Sequence, residues 1–253
     1  MKIIWLASYP KTGGTYLSSL LYSYFYGPID KSTDLSEQIP DINDLSGKSR
    51  ALNLKSDKTT FVKGHYMYSE EHPYLDHMIG FIYLIRNPRD ILLSSAKMLG
   101  ATQSNELLRI NAKNFIDNLG DPKWDKLGFG NIPENFGSWL CATGRFPHLF
   151  IKYEELRNDP ALAMEKLITF CGQPVNFAKI NQAISNCSLE KSRALEMKEK
   201  EAKVESIYPV LPGGNTFVGE GKMGQSLNHI GPDIEDYYKL RFGKFLNVMG
   251  YSE

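Results

Sequence analysis

The stretch SYPKTGGTY, residues 8–16, decides how the chain is read. A continuous apolar run, Ile3 to Ala7, precedes it, as in a strand buried on both faces of a parallel sheet. After it, Leu17, Leu20, Leu21, Tyr24 and Phe25 recur at helical spacing. The unit is strand, Gly-containing turn, helix. Such a turn points several backbone N–H groups at one spot, and the helix dipole adds positive potential there. Gly13 and Gly14 let an oxyanion approach the backbone closely, Thr12 and Thr15 bring hydroxyl donors, and Lys11 adds a full charge. Two readings stay open on these residues alone: a cradle for phosphate or sulfate, or a capped helix start beside a solvated lysine.

The same alternation continues along the chain. Thr60 to Lys63 reads as a second strand, Gly80 to Ile85 as a third and His148 to Lys152 as a further one. Asn87-Pro88 opens a helix, with Asn as N-cap, Pro at the first helical position and Asp90 in the first turn. Asp159-Pro160 opens another, running to about Cys171 and closed by Gly172. Strands alternating with helices predict an α/β fold in three layers, a central parallel sheet flanked by helices. No repeat or low-complexity linker divides the chain, so residues 1–253 are expected to form one domain. Residues 27–59 and 195–233 are polar and weakly periodic. They are expected to be mobile loops over a site at the strand ends, where open α/β sheets bind ligands.

Lys+Arg and Asp+Glu both number 29, so no general nucleic-acid or membrane-surface footprint is expected and anion binding must be local. Cys141, Cys171 and Cys187 are far apart and lack metal-ligand spacing, which predicts buried, reduced thiols. The opening apolar run is too short for a signal-peptide core, and nothing approaches a membrane span. A cytoplasmic protein is expected.

The Walker A order, G-x-x-x-x-G-K-[ST], is missing from the opening stretch, because Lys11 precedes the glycines. Gly47-Lys48-Ser49 has Ile42 where the first glycine belongs, and no strand leads into it. The third strand ends in Arg86 rather than in a carboxylate for Mg²⁺. These features argue against a small-molecule kinase, the alternative on a related phosphate-binding fold, and for a site that meets negative charge without a metal. Arg86, with Ser94 about two turns into the next helix, suits a phosphate dianion; an Arg86–Asp90 salt bridge would read alike. His65, two residues after Lys63 and at the end of another strand, is a candidate general base.

These residues resemble a known family. YPKTGGTY is similar to the 5′-phosphosulfate loop YPKSGTTW of cytosolic-type sulfotransferases, and FIYLIRNPRDILLSS, residues 81–95, to their 3′-phosphate motif. VKGHY, residues 62–66, resembles the strand that carries their catalytic histidine. FGSWL, residues 136–140, and IKYEELRNDP, residues 151–160, resemble two further family segments, and FVGEGKMGQSLNH, residues 217–229, weakly resembles the RKGxxGDWKN loop. The opening residues read most like bacterial enzymes that sulfate natural products, including the glycopeptide-antibiotic group.

The resemblance implies 3′-phosphoadenosine 5′-phosphosulfate as donor, the 3′,5′-bisphosphate as product, no metal, and a hydroxyl or amine of a small molecule as acceptor. It implies that Lys11, Thr12, Gly13, Gly14, Thr15 and Tyr16 hold the phosphosulfate, and that Arg86 and Ser94 bind the 3′-phosphate. Tyr153 would lie near the nucleotide, and Ser188 and Leu189 near the adenine. His65 would act as base, with Lys11 and Lys63 supporting charge. Gly219-Glu220-Gly221 stands where the family has Arg-Lys-Gly, so Gly221 is kept and Lys222 is the candidate replacement cation. The vertebrate dimerisation segment has no match, which leaves monomer and homodimer open. Loops 27–59, 66–79, 100–135 and 195–216 are expected to line the acceptor pocket, with Tyr66, Tyr68, Phe115, Trp124, Phe129 and Tyr208 among them and Glu70, Glu71 and Asp76 as acidic neighbours.

Overall fold

The computed structural model describes residues 1–42 and 58–251; Gly47-Lys48-Ser49 lies outside the described residues. Strands β1 (Lys2–Ser8), β2 (Thr59–Gly64), β3 (Met78–Ile85) and β4 (His148–Lys152) form a sheet of order β2-β1-β3-β4. All three pairings are parallel. The helices are α1 (Gly14–Tyr26), α2 (Ser32–Gln38), α3 (Pro88–Met98), α4 (Asn105–Asp117), α5 (Pro122–Lys126), α6 (Ile132–Cys141), α7 (Tyr153–Asn158), α8 (Pro160–Phe170), α9 (Phe177–Asn186), α10 (Leu189–Ala202) and α11 (Pro232–Val248).

Side chains alternate across a strand, and here the alternation divides the interior into two cores. Ile3, Trp5 and Ala7 of β1, with Phe81, Tyr83 and Ile85 of β3, pack under α3, α4, α6 and α11. Ile4 and Leu6, with Ile82 and Leu84, pack under α1, α8 and α9. Both faces of the central strands are therefore dry, which explains why they read as unbroken apolar runs. The three layers match the expected α/β arrangement.

The helix starts follow the predicted chemistry. The Asn87 side chain accepts from the Arg89 N–H at 3.0 Å, and Asp159 accepts from Leu162 at 3.0 Å. Gly172 closes α8 with φ 67°.

Three expected loops are partly helical. Residues 27–59 contain α2, the 100–135 stretch contains α4, α5 and the first turn of α6, and α10 runs on to Ala202. Their polar sequences hid the helices because each buries only a narrow stripe. In α10 the buried residues are Glu196 and Glu199, which apolar periodicity does not detect. The thiols also differ from expectation: Cys187 is buried, Cys171 half-buried and Cys141 exposed, all three free.

Leu84, fully buried on the inner strand β3, is the test of this layering. Leu84→Ala is expected to lower unfolding stability by about 2–5 kcal/mol. Ile79→Ala, on the same strand but 40% exposed, is expected to cost under about 1 kcal/mol. Urea denaturation of the two variants checks the contrast.

Candidate active site

The C-terminal ends of β1, β2 and β3 open onto one cleft of about 990 Å³. It is lined by Lys11, Gly13, Gly14, Thr15 and Tyr16 from the turn after β1, by Lys63 and His65 at the end of β2, and by Arg86 at the end of β3. Ser94, Tyr153, Leu189, Gly221 and Lys222 also face it. The structure thus gathers most of the sequence-predicted site residues around one cavity.

The turn carries its conformation at a cost. Lys11 has φ 68° and Gly13 φ 101°, both in the left-handed region. For a lysine this costs about 1–2 kcal/mol, and Arg86 holds the conformation by donating Nη1–H to the Lys11 carbonyl at 3.0 Å. A Cβ on Gly13 would lie 2.5 Å from the Tyr153 ring, and one on Gly14 would lie 3.2 Å from Lys63 Cε. The two glycines therefore let α1 start against Tyr153 and Lys63. Thr12 departs from expectation: it is 2% exposed, and its hydroxyl donates to the Tyr9 carbonyl at 2.7 Å, away from the cavity. That bond tightens the turn and leaves the hydroxyl role to Thr15. Ser188 departs too, capping α10 by accepting from Lys191 N–H at 3.2 Å.

His65 Nδ1 lies 2.7 Å from the Ser8 carbonyl oxygen. A carbonyl only accepts, so Nδ1 carries the proton and Nε2 is in the lone-pair form. Burial, reinforced by the Lys63 charge, pushes the His65 pKa down to about 4, so the ring is a neutral base at physiological pH. The Asn135 side chain donates to the His65 carbonyl at 2.8 Å, and the Phe129 ring packs 5.8 Å from the imidazole. Lys63 Nζ is paired with Asp41 at 2.6 Å, and backbone pairing of residues 40–42 with Lys63 fixes that partner.

Lys11 is pushed down to about 8 by burial and then by the charges of Arg86 and Lys63. Its Nζ lies 4.7 Å over the Phe217 ring, and Tyr208 packs on that ring at 5.9 Å. The cover belongs to a strap that α10 holds: Glu196 accepts from the Phe217 and Val218 N–H groups at 2.6 and 2.8 Å, and Glu199 from Ser32 N–H at 2.6 Å and the Ser206 hydroxyl at 2.7 Å.

Arg86 does not pair with Asp90. That carboxylate instead accepts from the Gly224 and Gln225 N–H groups at 3.0 and 3.2 Å. Arg86 is 7% exposed, donates Nη2–H to the Lys222 carbonyl at 3.0 Å, and lies 4.4 Å over the Tyr153 ring. Among the described residues its Nε is buried with no hydrogen-bond partner. A buried guanidinium with carbonyl partners and no carboxylate among the described residues favours an anion beside it. Lys222 Nζ is paired with Glu220 at 2.5 Å, so as a replacement cation it comes with its own counter-charge. Among the described residues, no group of three or more His, Cys, Asp or Glu is placed to hold a metal ion.

Of the aromatics expected in the acceptor pocket, Trp124, Phe129 and Tyr208 line the cleft. Phe115 is instead buried in the core, and Tyr66 and Tyr68 pack against that core. The acidic residues on the cleft are Glu37, Asp41, Asp90, Glu205 and Glu220 rather than Glu70, Glu71 and Asp76. Sequence reasoning also missed Ser8, Asp41, Arg157 and Phe217, which act on the expected residues across long sequence separations. Of these, only the apolar Phe217 beside the 219–222 loop left a local signal.

Residues 2–248 match the family described as the sulfotransferase domain. The chain belongs to the sulfotransferase family. Cytosolic sulfotransferase 1 of Arabidopsis thaliana is 22% identical, covering 91% of this chain and 74% of that protein. Sulfotransferase 1A1 of Mus musculus is 21% identical, covering 98% of this chain and 85% of that one. Among solved structures, mouse sulfotransferase SULT7A1 complexed with PAP superposes with a TM-score of 0.65 at 17% identity, covering 97% of this chain and 84% of that one. Retinol dehydratase in complex with androsterone and PAP gives 0.64 at 19%, covering 96% and 81%. At these identities the structural likeness concerns the fold. Among the described residues, no helix is long and apolar enough to cross a membrane.

Stability should report the buried histidines of this sulfotransferase. Burial pushes both His65 and His72 down to about 4 from 6.5. Between these values the unfolded chain binds protons that the folded chain does not, so stability present above pH 6.5 is lost as pH falls toward 4. Urea midpoints should drop across that window, and His72→Gln should flatten the drop.

Proposed function

We propose that the chain moves the sulfuryl group of 3′-phosphoadenosine 5′-phosphosulfate to a hydroxyl or nitrogen of a small-molecule acceptor, a natural product by the resemblance of its opening residues. In this reading, residues 1–253 act as one sulfotransferase domain in the cytoplasm. The observation that carries the reading is a neutral imidazole with its lone pair on Nε2, sharing one cleft with a strained lysine turn and a buried arginine that has no carboxylate partner among the described residues.

The donor supplies a sulfuryl group on a phosphate leaving group. The turn at Gly13 to Tyr16 offers backbone N–H groups and the α1 dipole to its anionic oxygens. Lys11 neutralises charge that develops on the leaving oxygen, the kind of stabilisation that dominates group transfer. Arg86 and Ser94 hold the 3′-phosphate, with Tyr153 beneath the guanidinium. Leu189 supports the adenine side, with Ser188 behind it as the helix cap. His65 takes the acceptor proton on Nε2, and the Ser8 carbonyl keeps the tautomer that makes this possible. Lys63, steadied by Asp41, lowers the pKa of the ring. Trp124, Phe129 and Tyr208 form apolar walls for the acceptor.

Isothermal titration with adenosine 3′,5′-bisphosphate is expected to give micromolar or tighter binding, with little binding of ATP plus Mg²⁺; the reverse preference would support a small-molecule kinase. His65→Asn is expected to lower kcat by ~10²–10⁴-fold while the bisphosphate affinity stays within about threefold. Wild-type turnover in that variant would remove His65 from the base role.

Lys11 titrates near 8, so an anion bound beside it should raise its pKa and draw in a proton. Titrations at pH 8 in buffers of different ionisation enthalpy should show proton uptake that disappears at pH 6.

A further inference from the structure

Four side chains from three segments, α1, the end of β3 and α7, form a continuous run along the cleft. The Arg86 guanidinium lies 4.4 Å over the Tyr153 ring, and Tyr153 meets Tyr16 edge-on with ring centres 6.4 Å apart. The Arg157 guanidinium lies 5.2 Å over Tyr16. The run starts and ends on a guanidinium, and both ends abut the same loop. Arg86 donates to the carbonyl of Lys222, while a Cβ on the preceding residue, Gly221, would lie 3.0 Å from Arg157 Nη2. Gly221 has φ 66°, so its glycine character both permits the turn and makes room for Arg157.

The charge balance in this corner is lopsided. Lys222 is neutralised by Glu220. Asp90 is occupied by backbone N–H groups of residues 224 and 225. Neither Arg86 nor Arg157 forms an ion pair among the described residues. Two guanidiniums on one cleft, neither ion-paired among the described residues and each over a tyrosine ring, offer forked donors to an oxyanion of charge near −2.

Building on the donor reading above, we propose that Arg157 is a donor-binding residue that contacts the 3′-phosphate opposite Arg86. It supplies the second cation that the Gly219-Glu220-Gly221 loop does not bring. The Tyr16 ring, 5.2 Å from the guanidinium, orients Arg157, so Tyr16 contributes to 3′-phosphate recognition through it.

The test compares adenosine 3′,5′-bisphosphate with adenosine 5′-monophosphate, which share everything except the 3′-phosphate. Isothermal titration reads the ratio of the two affinities in wild type, Arg157→Met and Arg157→Lys. The ratio is expected to fall about tenfold or more in Arg157→Met, since a charged-pair hydrogen bond is lost. Arg157→Lys keeps charge without the planar fork, so an intermediate fall is expected, and this variant carries the comparison alone if Arg157→Met does not fold. A residue that merely packs on Tyr16 would weaken both nucleotides equally and leave the ratio unchanged. That result, with the wild-type preference for the bisphosphate intact, overturns the Arg157 assignment alone. A wild type with no preference for the bisphosphate overturns both this assignment and the donor reading beneath it.

Discussion

The buried guanidinium of Arg86 ties together parts of the chain that are otherwise remote. It follows the inner strand β3, holds the carbonyl of the strained Lys11 turn, holds the carbonyl of Lys222 and covers Tyr153 at the start of α7. Each carbonyl bond is a charge-assisted hydrogen bond worth about 1.5–3 kcal/mol. A cation this deep costs several kcal/mol to bury without a counter-charge. No carboxylate among the described residues neutralises it, which is the charge imbalance that the proposed anion site would relieve. The depressed Lys11 is a second sign of the same imbalance: Arg86 and Lys63 raise the local potential, and burial removes the water that would screen it.

A complementary device holds the cover. Helix α10 turns two carboxylates inward, each 4% exposed, onto backbone N–H groups of the strap and of the start of α2. These bonds occupy the two carboxylates with backbone and hydroxyl donors. Arg193 completes the clasp by donating to the carbonyls of Val218 and Gly219. The result is one end of the cleft, the donor end in the proposed reading, that is rich in guanidinium and ammonium groups and covered by an aromatic strap. The flank formed by α2 and the strap carries Glu37 and Glu205. Between the two, His65 sits neutral against Phe129.

The local units were legible from the chain because each depends on near neighbours. Strand β1, the turn and α1 follow from an apolar run, paired glycines and helical spacing within about twenty-five residues. Asn87, Pro88, Asp159 and Pro160 announce their helices by capping chemistry. What stayed hidden was α10, because its buried face is glutamate and its partners are backbone N–H groups far away in sequence. The inward turn of Thr12 stayed hidden as well, since whether a hydroxyl faces a ligand or a carbonyl depends on backbone geometry three residues back.

Sequence by itself determined the layered fold, the glycine-containing turn between β1 and α1 and the residue types gathered near it, since apolar periodicity, glycine freedom and fixed charge are local properties. Only the tertiary structure decided the states those residues occupy. The tautomer of His65 comes from a carbonyl 57 residues away, and the partner of Lys63 from a segment 22 residues earlier. The pairing of Lys222 with Glu220 and the approach of Arg157 to Tyr16 and Gly221 also appear only on folding. The physical reason is that proton affinity and charge balance depend on distance and on exclusion of water, and both are set when strands and loops meet.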